Sequence, residues 1–245
     1  MSLLSDDPLQ IGYYVTSTRI IELVVGLPVL LISVVMPVLT VAARDDRARL
    51  DYVAARLTEV MALGGVLFAI VLGLGAEPLV RLLGGAAYLP AAGVLQIQSV
   101  VLISVFVTAA WSPVLLGMGR VRELAGVTAI GVASVLAAGL VLIPARDADG
   151  AAIAAVAADV VVCAAMFIAV YRAGPGRGLD GGRLARIALA GALAVGAGSL
   201  PGIPPVVAAI GAGALFVGLA WLLGAVPAEL RATLRAPGAG YAGRR

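Results

Sequence analysis

Leu23 to Arg49 reads LVVGLPVLLISVVMPVLTVAARDDRAR, an uncharged run closed by Arg44, Arg47 and Arg49. About 20 apolar residues suffice to cross the hydrocarbon of a bilayer, so the run is long enough to span it. The same pattern recurs down the chain: Val60 to Ala76, Leu124 to Ala145 and Ile187 to Ala228 are also free of charge. The spacing predicts seven spans, near 20–43, 60–82, 92–118, 122–144, 150–172, 184–201 and 205–224. Pro201-Gly202-Ile203-Pro204-Pro205 divides the last run into two.

The arginines orient these spans. All but three of the seventeen basic residues fall in alternate gaps, the exceptions being Arg19, Arg81 and Arg146. The positive-inside bias assigns the arginine-rich gaps and the C-terminus to the cytoplasm and the N-terminus to the outside. The opening MSLLSDDPLQ has neither the positive n-region nor the short apolar core of a signal peptide. An outside start suits the C-terminal half of a longer protein, which is the expectation; the alternative is a complete protein that inserts with its N-terminus out.

Composition narrows the function. A mean hydropathy of +1.08, with 62% hydrophobic and 13% charged residues, belongs to the membrane class. The net charge of +3 is then topological, and no basic stretch is interleaved with aromatics, so nucleic acid is not an expected partner. Histidine and lysine are both absent. That removes the usual general base, the commonest metal ligand, the Walker A lysine and Schiff-base chemistry, so neither an enzyme nor a cofactor is expected. Cys163 is the sole cysteine, which excludes an intrachain disulfide.

The organisation follows the spans. An all-α, polytopic transmembrane helical bundle is expected, with five spans in 1–173, a cytoplasmic linker at 174–186, a terminal hairpin at 187–226 and a basic tail at 227–245. Leu50, Val53, Ala54, Leu57, Val60 and Met61 form one helical stripe, read as an amphipathic segment in the cytoplasmic interface ahead of the second span. Pro28, Pro37 and Pro113 predict bends within spans.

Polar residues inside apolar runs are costly, so each needs a role. Asp159 follows Gly150 by about 14 Å of helix, which sets it near the bilayer centre. It is either a pathway or proton-coupling residue, or a structural carboxyl that bonds across helices. Arg19 and Glu22 share a helix face at the outer end of the first span. They either pair with each other or let Arg19 receive an anionic substrate group, since a guanidinium grips phosphate in a bidentate fork. Gln96 is a weaker candidate, and Gln98 diverges from it around the helix, so at most one of the two faces the interior directly. Asp147 and Asp149 read as an outer turn.

Four signatures, in order, resemble the C-terminal half of polysaccharide and lipid-linked oligosaccharide flippases of the MOP superfamily. They are Gly12-Tyr13-Tyr14 with Arg19-Ile20-Ile21-Glu22 and Pro37; Glu77-Pro78-Leu79-Val80-Arg81-Leu82-Leu83-Gly84 running on to Tyr88-Leu89-Pro90-Ala91-Ala92; Leu116-Gly117-Met118-Gly119-Arg120; and Leu142-Ile143-Pro144 leading to Asp149-Gly150-Ala151-Ala152-Ile153-Ala154. The resemblance implies two lobes around a central cavity, of which the N-terminal lobe is absent from this sequence. It implies alternating access, in a bacterial cytoplasmic membrane, for a polyprenyl-diphosphate-linked sugar, the precursor of a polysaccharide or lipopolysaccharide. It passes a pyrophosphate-contact role to Arg19 and leaves Asp159 a tolerated acidic position. A lipid II flippase, a MATE-type drug exporter lobe and a non-transporting membrane scaffold are the competing readings.

Overall fold

A computed structural model describes residues 8–227 of the 245, apart from the side chains at 8, 38, 43–45 and 176–177. All of the expected basic tail beyond Pro227 lies outside the described residues. The described chain is helical: α1 (Pro8–Asp45), α2 (Arg47–Leu74), α3 (Ala76–Gly84), α4 (Ala91–Ser99), α5 (Val101–Gly117), α6 (Val121–Ala173), α7 (Gly181–Gly198) and α8 (Pro205–Leu222). Two short 3₁₀ turns, Ala86–Tyr88 and Pro175–Gly178, complete it. Among the described residues five helical stretches are long and apolar enough to cross a membrane: α1, α2, α4 and α5 taken together, α6 and α8. The protein is a multi-pass membrane protein.

The 53 residues of α6 are far more than one crossing requires. Asp147, at φ 47 and ψ −121, breaks the helix into two arms that fold back on each other. A Cβ built on Gly131 would lie 2.7 Å from Val162 Cγ2, although the two residues are far apart along the chain. Gly150 makes the reversal possible, because a Cβ there would collide with the Leu142 carbonyl oxygen. The turn expected at Asp147 and Asp149 is therefore a sharp reversal in which only glycine fits at position 150.

Two boundaries differ from those the spacing predicts. The second span ends at Leu74 rather than near 82, where the Gly75 N–H donates to the Val71 carbonyl at 2.9 Å and the chain turns into α3. The third span, Ala91–Gly117, falls where the spacing puts it; a 3₁₀-type turn at Val100, itself helical in backbone, divides it into α4 and α5. The last difference is in α7, which starts at Gly181, inside the stretch read as a linker, because the Asp180 side chain caps it by accepting from the Arg183 N–H at 3.1 Å. The 18-residue α7 is not among the five long apolar helices, since Arg183 and Arg186 lower the hydropathy of its first two turns.

The stripe from Leu50 to Met61 also changes meaning. Asp46 caps α2, which then runs unbroken through the stripe and into the span. Leu50, Ala54, Leu57 and Met61 are buried in the main core rather than laid on lipid. A helix facing protein and one facing the membrane interface share the same 3.6-residue period, so periodicity alone cannot separate them.

That core joins α1, α2, α5 and α6 around Leu39, Met61, Leu102, Phe106, Trp111 and Leu115. Within it Trp111 Nε1 donates to Thr58 Oγ1 at 2.9 Å, and that hydroxyl donates to the Ala54 carbonyl at 2.7 Å. A second cluster, with Val66, Ile70, Ala190, Ala194, Ala212 and Phe216, fastens α7 and α8 onto α2. In lipid such contacts hold by close packing, which explains why small residues line them.

Candidate functional site

The polar side chains collect in three places. At the end of the bundle away from the arginine-rich gaps, α1 presents Arg19 and Glu22 one turn apart, with Arg19 Nη1 3.8 Å from Glu22 Oε2. Their side chains are 79% and 60% exposed. They share a cleft of about 590 Å³ with Thr16, Leu83, Gly84 and Tyr88. The missing side chain at Gly84 leaves room for Tyr88 and Thr16 to pack against it, and Tyr88 meets Tyr13 edge to face, with ring centroids 6.0 Å apart. This anchors the rim of the cleft while the guanidinium stays accessible. A loose, solvated ion pair of this kind can exchange its carboxylate for a stronger anion at little cost.

The second place is a lateral cavity of about 720 Å³ between α2, the α4–α5 break and α7. Val66, Ile70, Val100, Ile103 and Val195 make it apolar, and Gln96 and Ser199 are among its few polar residues. Gln98, not Gln96, faces the interior: it is buried, and its Nε2 donates to Thr18 Oγ1 on α1 at 3.3 Å. The structure thus brings Arg19 and Glu22 together, sends Gln96 to a different cavity, and places Asp159 half-buried on the second arm of α6, in neither.

The third place was not singled out from the sequence. Glu59 on α2 is 2% exposed, and its Oε2 accepts from Arg56 Nη1 and from Arg183 Nη1, each at 2.5 Å. Arg56 comes from the preceding turn of the same helix; Arg183 comes from the first turn of α7. Glu59 immediately precedes the uncharged run that begins at Val60, so by position it reads as an interfacial residue. Its spacing of three from Arg56 was the available signal, and that spacing on its own denotes a surface pair.

No protein-family model matches this chain, and no curated protein matches it in sequence. A solved structure of the lipid II flippase MurJ, in an inward closed conformation, superposes with a TM-score of 0.73 at 14% sequence identity. The match covers 92% of this chain and 48% of that one, so the chain spans about half the length of the flippase it resembles. At that identity the likeness establishes the fold.

Proposed function

We propose that this chain forms one lobe of a membrane flippase that carries a polyprenyl-diphosphate-linked oligosaccharide or polysaccharide precursor across the bacterial cytoplasmic membrane. In this reading the arginine-rich ends face the cytoplasm and the Arg19 cleft opens outside. The observation that carries it is Arg19, a guanidinium held at the mouth of a cleft, free to meet a diphosphate and paired only loosely with Glu22. The exposed apolar surface of α1 around Leu23, Leu30, Leu31 and Val34 supports docking of a second lobe, N-terminal in the family that the sequence resembles. Alternating access needs two bodies rocking about a shared site, and these helices supply one wall. The lateral cavity has the apolar lining that a hydrocarbon tail requires.

The test is flipping of a labelled polyprenyl-diphosphate sugar in proteoliposomes that contain this chain together with its partner lobe. Arg19→Gln slows transport, and Arg19→Lys restores part of it, since a point charge replaces a fork. Unchanged flipping by Arg19→Gln removes Arg19 from the site. The fold likeness favours one second reading, in which lipid II itself is the cargo. Competition between the two labelled lipids in the same vesicles decides between them.

A further inference from the structure

The α7–α8 hairpin leans on α2 through small residues. A Cβ built on Gly191 would lie 2.8 Å from Val66 Cγ1, and one on Gly198 would lie 2.5 Å from Leu74 Cδ1. These contacts are close but carry no directional bond, and in lipid they lack the drive that water gives to apolar burial. Opposite α4 and α5 the hairpin leaves the 720 Å³ cavity, whose α7 lining runs from Ala188 to Ser199. The charged tie lies just before that lining, where Arg183 reaches across to Glu59.

Sharing of the Glu59 carboxylate makes this tie releasable. Breaking a buried ion pair is costly mainly because it strands a charge away from water. Here Glu59 keeps Arg56 from its own helix when Arg183 departs. Arg183, in the first turn of α7, has the half-exposed Asp180 carboxylate 3.9 Å from its Nε and keeps that partner when it leaves Glu59. We infer that the Glu59–Arg183 pair is a latch that holds the α7–α8 hairpin against α2, and that its release widens the lateral cavity between the hairpin and α4–α5. The inference does not depend on the identity of the transported molecule.

Pulsed electron paramagnetic resonance on the full chain in lipid nanodiscs tests the latch. Nitroxides are attached at Ala48→Cys and Ala185→Cys, both exposed positions, in a Cys163→Ala background. Arg183→Gln is expected to increase a longer-distance population about tenfold, the weight of one hydrogen bond to a charged group. Arg56→Gln is expected to leave the distances unchanged, because Arg183 still holds Glu59. A second label pair within the main bundle, Ala48→Cys with Ala125→Cys, should be unmoved in every variant. Wild-type distances in Arg183→Gln would overturn the latch, as would an equal opening in Arg56→Gln. A shift of the main-bundle pair would overturn it too, by showing that the ion pair holds the whole fold rather than the hairpin.

Discussion

Two arginine–glutamate pairs with the same spacing meet opposite fates. Arg19–Glu22 and Arg56–Glu59 are both three residues apart on a helix near the end of a span. The first is open, at 3.8 Å between exposed side chains; the second closes to 2.5 Å around a carboxylate that is 2% exposed. Their helices differ in the same sense, since 17% of the most apolar stretch of α1 is buried against 50% of that of α2. Helical spacing lets a pair meet, but its strength depends on the third group and on the solvent left around it. Arg120–Glu123, also three apart, lies between them at 2.5 Å with side chains 35% and 39% exposed. The three pairs form a graded series that experiment can break.

The largest effect is expected at Glu59. Glu59→Ala removes both charge-assisted hydrogen bonds at once and leaves a void where the buried side chain stood, a loss of about 3 kcal/mol or more. It should appear as a large loss of folded protein in detergent, measured by thermal unfolding. Wild-type stability in Glu59→Ala would mean that the cluster is hydrated and that its burial has no energetic weight.

Arg56→Gln should cost less, about 2 kcal/mol, because Glu59 retains Arg183 and the losses are one charge-assisted hydrogen bond and the stacking of the guanidinium over Tyr52. If Arg56→Gln and Glu59→Ala were equally damaging, the carboxylate would not be shared in the way the geometry describes. Half-exposed Glu123 is expected to fall lower: Glu123→Gln should cost under ~1 kcal/mol and become indistinguishable from wild type in high salt. Equal unfolding midpoints at low and high salt, with a clear loss in both, would place that pair with the buried one.

The smallest effect on stability is at Glu22. Glu22→Gln should leave unfolding within about 0.5 kcal/mol of wild type, as expected for surface substitutions. In the proposed flippase it should strengthen retention of an anionic lipid, because Arg19 loses a competing carboxylate. The check is binding of a polyprenyl diphosphate to the two-lobe protein, and weaker binding by Glu22→Gln would assign Glu22 a direct role in holding the cargo.

Much of the architecture was legible in the sequence, because crossing a bilayer is decided by local composition. The runs ending at Ala43 and Ala145 and the proline-rich break at 201–205 mark helices and turns without reference to anything distant. That Arg19 and Glu22 share a face was legible too, since both lie on one turn of α1, and they line one cleft. Asp159 stood out by the cost of a mid-span carboxyl, yet the structure associates it with neither cavity.

What the linear order could not decide was the surroundings of each side chain. Gln98 rather than Gln96 turns inward because Thr18 stands opposite it on α1. The stripe from Leu50 to Met61 faces protein because α1, α5 and α6 cover it, a matter of neighbours rather than of period. Glu59 and Arg183, 124 residues apart, meet when the hairpin docks on α2. Sequence by itself determined which segments leave water, since hydration of an apolar run depends on the run alone. Only the tertiary structure decided which charges leave water with them, because a buried carboxylate is tolerable solely where the fold brings its counter-ions within hydrogen-bonding distance.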